Sequence, residues 1–351
     1  MSEQIVIVGG GLSGLLLAYR LSKKNIQATV LEASTRLGGR IQTVKGTLDT
    51  PLELGATWFS SVHPNMLALI DELGLKKHPQ FSKGISLYQT SSTEPPQQFF
   101  SEDEDDPSYR IVGGTQMLIE KLREKLSPEN IQLNTKVTAI KDMENELLIE
   151  TSDGRQISAS KVVLCMPPQL AGSQIQFSPQ LPNEVSKILP NVHTWMSGSI
   201  KFVLEYSEPF WRKKGYSGML FGRSGIVIEM YDHNNFEGNK FGFTGFLNGA
   251  ASSFPQETRK ELVLKQLAEC FGKESLSPSY YADKVWTDEF VLSGNPIQRV
   301  HQYNGHSLLQ QPYMNGRLYF SGTETSTENA GYMEGAIISA LKMAKNLLNS
   351  K

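Results

Sequence analysis

Residues 5–34, IVIVGGGLSGLLLAYRLSKKNIQATVLEAS, decide the fold: an apolar run meets three consecutive glycines, then a helical pattern, then a second apolar run ending in acid. Ile5–Val8 is short, β-branched and apolar on both faces, which suits a fully buried parallel strand. Gly9, Gly11 and Gly14 fall at G-x-G-x-x-G spacing. In that order they serve a tight turn, close backbone approach to a pyrophosphate, and close packing of helix on strand. Leu15, Leu16, Ala18 and Leu21 give the following helix a wide apolar stripe, and its N-terminus aims unpaired amides at phosphate. A second strand, Ala28 to Leu31, delivers Glu32 at the offset where an acid accepts hydrogen bonds from ribose hydroxyls. The glycines alone would also suit a plain turn with a surface Glu. With strand, helix, strand and acid all present, the stretch predicts a dinucleotide-binding unit.

Outward from that unit, 351 residues suffice for two domains and a large core. A formal charge of −2 gives no electrostatic reason to bind nucleic acid or an anionic membrane. Cys165 and Cys270 form no CxxC, so neither a disulfide framework nor a cysteine-rich metal site is expected, and no metal is. The first strand leaves little room for a signal peptide, and the last helical pattern carries Lys342, Lys345 and Asn346 instead of a long apolar span. The expectation is a cytoplasmic protein without a membrane anchor, a monomer or homodimer.

Along the chain, STRLGGRIQT reads as a loop with the pair Gly38 and Gly39 between Arg36 and Arg40, and TLDTPLELGATWF as a short strand and turn. A helix runs from about Pro64 to Leu73 and stops at Gly74. Residues with Pro95, Pro96 and the acidic run Glu102 to Asp106 read as polar loop. After Gly113-Gly114 come an amphipathic helix, Thr115 to Leu126, and strands separated by turns at Glu144-Asn145 and Asp153-Gly154. The buried strand KVVLCMPP follows. Strands dominate from Thr194 to Asn248, a helix spans roughly Gln256 to Phe271, and the chain ends in strand, loop and long helix. The two ends most simply build one nucleotide domain with other segments inserted.

These motifs resemble the FAD-dependent amine oxidase family over most of the chain. The likeness lies in the N-terminal fingerprint, RLGGR, ELGATWF, SIKFVLEYSEPFWRKKGYSG (199–218) and GRLYFSGTETSTENAGYMEGA. It implies an α/β fold: a Rossmann-like FAD-binding domain of the glutathione-reductase kind with an inserted α+β substrate domain on an antiparallel sheet. The FAD-binding domain would comprise 1–75, 111–190 and 287–351, and the substrate domain 76–110 and 191–286. It implies that Gly9, Gly11, Leu12, Ser13 and Gly14 meet the pyrophosphate region and that Glu32 and Ala33 meet the adenosine ribose. Arg36, Gly38, Gly39 and Arg40 would lie near the phosphates, Val137 would meet the adenine, and Gly55, Ala56 and Thr57 would flank the flavin edge. Gly322, Glu324, Gly331, Tyr332 and Met333 would close over the ribityl chain and flavin. For Met333 there is independent support, because a helix beginning near Tyr332 puts positive partial charge where reduced flavin develops negative charge.

Three side chains would carry chemistry. Lys201, alternating on a strand with Ile200, Phe202 and Leu204, reads from sequence alone as a solvated residue. The resemblance instead makes it the lysine that holds a water at flavin N5 and assists reaction with oxygen. Tyr332 and Trp286 read alone as core aromatics. By resemblance Tyr332 is one wall of a cage orienting the amine and Trp286 packs near the flavin. The reaction implied is amine oxidation to an imine, with O2 as acceptor and H2O2 as product.

Three departures stand out. Asn295 occupies the place where flavin-tethering members have cysteine, which implies non-covalent FAD. Pro296 stands where a second cage aromatic often follows, and the 75–110 region is much shorter than the family's helical segment. His301 and His306 in RVHQYNGH lack the spacing of a metal or acid–base site and read as loop histidines. Two other readings stay open: a flavin desaturase or dehydrogenase of a non-amine, and a flavin-binding protein whose catalysis has lapsed.

Overall fold

The computed structural model describes residues 4–102, 105–287 and 299–349. Ile5–Val8 is buried along its whole length and forms the centre of a five-stranded sheet. Its neighbours are Lys161–Leu164 and Ala28–Leu31. Leu318–Phe320 and Ile131–Gln132 lie outside them, and every pairing is parallel. A strand apolar on both faces needs cover on both. On one face lie the helices Leu12–Ser22, Gln116–Glu124 and Met333–Asn349, with Leu15, Leu16, Ile337 and Ala340 in contact beneath them. On the other, Ile140, Ile149, Val185 and Leu189 pack on Val6 and Val8. Part of that second layer is the sheet of Val137–Asp142, Leu147–Thr151, Gln156–Ala159 and Gln176–Ser178.

The other large sheet has seven strands, in the order Tyr280–Val285, Ile200–Tyr206, Phe241–Leu247, Val227–Asp232, Tyr216–Gly222, Gly84–Gln89 and Gln97–Ser101. Its pairings are antiparallel except between Tyr216–Gly222 and Gly84–Gln89. One face buries Phe202, Leu204, Leu220, Met230 and Phe243 against Val263, Leu267 and Phe271 of the helix Gln256–Phe271. The other presents Val203 to Leu52 and Leu54 and so turns Lys201 towards the dinucleotide unit.

The expected helices at Pro64, Thr115, Gln256 and the C-terminal end form within a few residues of the expected bounds. The polar stretch around Pro95 and Pro96, read without strands, is a correction: it joins the hairpin strands Gly84–Gln89 and Gln97–Ser101, while Glu102, Asp105 and Asp106 of the acidic run lie outside any strand. Period-2 alternation is weak there because Ser86 faces Ser217 and Ser101 through hydroxyl hydrogen bonds where an apolar residue would be expected.

Candidate functional site

The first glycine turn is shaped by contacts that leave no room for side chains. Gly9 has φ +112°, and a Cβ there would lie 2.6 Å from the Cys165 carbonyl oxygen; at Gly14 it would lie 2.0 Å from that of Gly9. At Gly11 it would meet nothing nearer than the Gly38 oxygen at 4.0 Å, so this is the open side of the turn. Gly11 also caps the helix Leu12–Ser22 without a side-chain hydrogen bond, leaving the first amides to a ligand. The cleft in front is lined by Gly9, Gly11, Leu12, Ser13, Glu32, Ala33, Gly38, Gly39, Arg40, Ala56, Val137, Gly322, Glu324, Gly331, Tyr332 and Met333. Most of the expected cofactor residues therefore meet in one place.

Details within the cleft differ from the expectation. The Glu32 carboxylate accepts from the Gly10 amide (2.7 Å) and the Ser34 amide (2.9 Å), so part of its capacity already braces the turn. Arg36 donates to the carbonyls of Gly39 (2.6 Å) and Ile41 (2.9 Å) and does not line the cleft; it ties its own loop. Arg40 Nη1 lies 2.7 Å from Glu324 Oε1, with Glu324 buried. Neither of those two buried atoms makes an aligned hydrogen bond. A phosphate and a ribityl hydroxyl would supply what each lacks. The donor set, the open Gly11 side and this buried ion pair, with hydrogen-bonding capacity left over, fit FAD.

Beside the cleft, and sharing Arg40, Ala56, Gly331, Tyr332 and Met333 with it, is a cavity of about 240 Å³. Gly55, Thr57, Trp58, Trp195, Lys201, Phe246 and Trp286 complete most of its wall. Lys201 is buried, so its strand-surface reading is overturned. Its Nζ donates to the Gly55 carbonyl (2.7 Å) and to Thr57 Oγ1, and it sits 4.8 Å from the Trp58 ring and 5.5 Å from that of Phe246. Burial pushes its pKa down to about 7; Glu53 opposes the shift and Arg110 adds to it. Burial likewise raises the Glu53 carboxyl, which the Thr115 amide and the Thr43 hydroxyl hold in place. Trp286 donates from Nε1 to the Leu54 carbonyl (2.8 Å), so Leu54–Thr57 anchors both Trp286 and Lys201.

Tyr332, 43% exposed, forms part of the rim. Its ring centroid is 5.9 Å from Trp195 and 6.3 Å from His301, and His301 stacks on Trp195 at 4.8 Å with planes 18° apart. His63 lies 6.2 Å from Tyr332. His301 is thus a loop histidine, as expected, but one placed at the site. Among the described residues no group of three or more His, Cys, Asp or Glu could hold a metal. Trp58, Trp195, Phe246 and His63 escaped the sequence reading, since a lone aromatic or His carries no spacing signal. Asn295 and Pro296 lie outside the described residues.

A parallel-sheet dinucleotide cleft joined to an aromatic cavity with a buried lysine defines a cofactor-dependent oxidoreductase. Residues 12–93 and 84–348 match the flavin containing amine oxidoreductases, and the chain belongs to that family. It is an FAD-dependent amine oxidase. Over 461 aligned positions it is 26% identical to "Probable flavin-containing monoamine oxidase A" of Dictyostelium discoideum, covering 99% of this chain and 98% of the relative. It is 25% identical to "Amine oxidase [flavin-containing] B" of Homo sapiens, over 99% of this chain and 86% of that one. Wild-type putrescine oxidase bound to putrescine superposes with a TM-score of 0.85 at 22% identity, with 99% of both chains covered. Cyclohexylamine oxidase from Brevibacterium oxydans IH-35A gives 0.84 at 20% identity, covering 99% of this chain and 100% of that one. Among the described residues no helix is long and apolar enough to cross a membrane.

Proposed function

We propose that the protein oxidises the C–N bond of a monoamine to an imine, passes the electrons to O2 to give H2O2, and holds its FAD without a covalent bond. The observation that carries this reading is Lys201, buried in an aromatic cavity that opens into the dinucleotide cleft. When bound, FAD supplies the two-electron acceptor. Gly9, Gly11, Leu12, Ser13 and Gly14 would hold the pyrophosphate on backbone amides, with Arg40 beside it. Glu32 and Val137 would meet the adenosine, and Met333 would offer its amide at the start of its helix.

Gly55 and Thr57 hold the Lys201 ammonium in place. With a pKa of about 7 it gains and loses a proton readily near neutrality, which suits holding a water and supplying charge or a proton during reaction with oxygen. Tyr332 would orient the amine by its ring face, and Trp286 would fix the cavity floor. The charged side chains among the described lining residues are Arg40 and Lys201, both cationic, which disfavours a second ammonium and favours a monoamine over a diamine.

The division into an FAD-binding part (1–75, 111–190, 287–351) and a substrate part (76–110, 191–286) is supported by strand membership. The five-stranded sheet draws its strands from the first set and the seven-stranded sheet from the second. Both cysteines are free and buried, which supports a cytoplasmic setting. The test is a peroxide-coupled screen of amines on the purified yellow protein, with flavin bleaching followed anaerobically. Bleaching and peroxide with a monoamine support the reading; a flavin that no amine reduces overturns it. Acid precipitation should leave all yellow colour in the supernatant, and colour in the pellet would contradict non-covalent binding.

A further inference from the structure

We propose that the sheet face carrying Lys201 continues beyond the cavity as a platform for the non-reacting body of an elongated, apolar amine. The proposal rests on the amine oxidation proposed above and names the shape of its substrate. Residues directly opposite in a sheet share a face. Lys201 is opposite Phe246, Phe246 opposite Glu229, Glu229 opposite Phe221, Phe221 opposite Tyr88, and Tyr88 opposite Gln97. Two residues further along their strands, Tyr231 and Phe99 project to the same side. The ladder thus crosses five strand spacings, about 24 Å at roughly 4.8 Å each.

As far as Phe221 its rings are continuous with the site. Lys201 lies against Trp58, Trp58 is 6.4 Å from Phe246 and 5.1 Å from Tyr231, and Tyr231 is 6.1 Å from Phe221. Burial separates this face from the other. Phe202, Phe243, Leu220 and Leu87 on the opposite face are fully buried, whereas Phe246, Tyr231, Phe221 and Tyr88 are half-buried and Phe99 is 44% exposed. Glu229 is the one carboxylate in the row, and the Tyr231 hydroxyl donates to it. Aromatics running outward from a cavity and left half open are suited to ligand contact, not to core packing.

The far end of the ladder is also where this chain parts from its family. The family match runs in two segments that overlap at 84–93, on the strand Gly84–Gln89. The alignment with the Dictyostelium relative leaves at least 110 positions without a counterpart in this chain. The break in the family match thus falls at the strand that carries Tyr88, and the ladder fits an aryl-alkyl or long-chain alkyl amine lying along it.

The experiment uses the FAD-loaded enzyme and ω-phenylalkylamines with two to ten methylenes, read as KM and kcat. In parallel, calorimetric binding of the matching ω-phenylalkanols reads the platform without turnover. The expected result is a KM, and a Kd for the alcohols, that falls with length by up to about fourfold per methylene laid on the ladder. Phe221→Ala and Tyr88→Ala should each raise the long-to-short KM ratio about tenfold. Retained FAD absorbance checks folding of the variants, and the length series on the natural protein needs no variant at all. A KM and Kd independent of length, or ratios untouched in both variants, would overturn the platform. If amines of every length fail to bleach the flavin while alcohol binding still lengthens its grip, amine oxidation fails and the platform stands.

Discussion

The dinucleotide cleft and the aromatic cavity share a wall but are built from different material. The cleft is largely backbone: Gly9, Gly11 and Gly14, within six residues of one another, set its shape through what they lack. The cavity is side chain: Trp58, Trp195, Phe246, Trp286 and Tyr332 each arrive from a different segment, and Lys201 comes from the middle of the second sheet. The first site is fixed by local geometry and the second by tertiary packing. Substitutions should therefore break the first abruptly and tune the second.

The largest effect is expected at Gly14. With a Cβ placed 2.0 Å from the Gly9 oxygen, Gly14→Val forces helix and strand apart; FAD content per folded chain, read by absorbance, should fall by at least about a hundredfold. Lys201→Met should keep FAD but slow reoxidation by oxygen about a hundredfold in stopped flow, the order expected for one positioned charge. An unchanged rate would confine Lys201 to packing. Tyr332→Leu should raise KM for a monoamine by about 2- to 30-fold, since a ring face contributes about 0.5 to 2 kcal/mol to a bound ammonium.

Glu53→Gln sharpens the comparison further. Lys201 is charged below about pH 7 and loses its proton above, so a step using that charge declines as pH rises through this value. The Glu53 carboxylate favours the charged lysine; removing it should shift the inflection of the reoxidation profile to lower pH. The smallest effect belongs to Arg36→Lys. Its guanidinium braces its own loop, so FAD affinity by titration should change less than about threefold, and a larger loss would return Arg36 to the phosphates.

The same contrast explains what was legible in the sequence. Ile5–Val8, the three glycines and Glu32 fall within one stretch, residues 5–32, so their periodicity and spacing point to a cleft before any contact is known. Residues of that turn and of the closing motif line one cleft, while Arg36 donates to carbonyls of its own loop. Lys201 was assigned only through resemblance, because alternation on its strand cannot tell a solvated face from one covered by Leu52 and Leu54. The pairing of Trp195 with His301 is not legible in the sequence: their stacking depends on two loops meeting beside Gly331, where a Cβ would lie 2.5 Å from that of Trp195. The hairpin Gly84–Ser101 was missed because its serines bond one another, which removes the hydrophobic alternation that marks a strand.

The packing of Leu12–Ser22 against Met333–Asn349 sets a schedule for synthesis on the ribosome. The helix with Leu15, Leu16 and Leu17 is made first, yet its apolar face is covered in part by Ile337, Ala340 and Leu347, made last. The strand Leu318–Phe320 that completes the parallel sheet is also late. The seven-stranded sheet, complete by Val285, has all its strands long before that. The inserted part can therefore fold while the nucleotide-binding half still awaits its final helix, and cofactor capture closes the process.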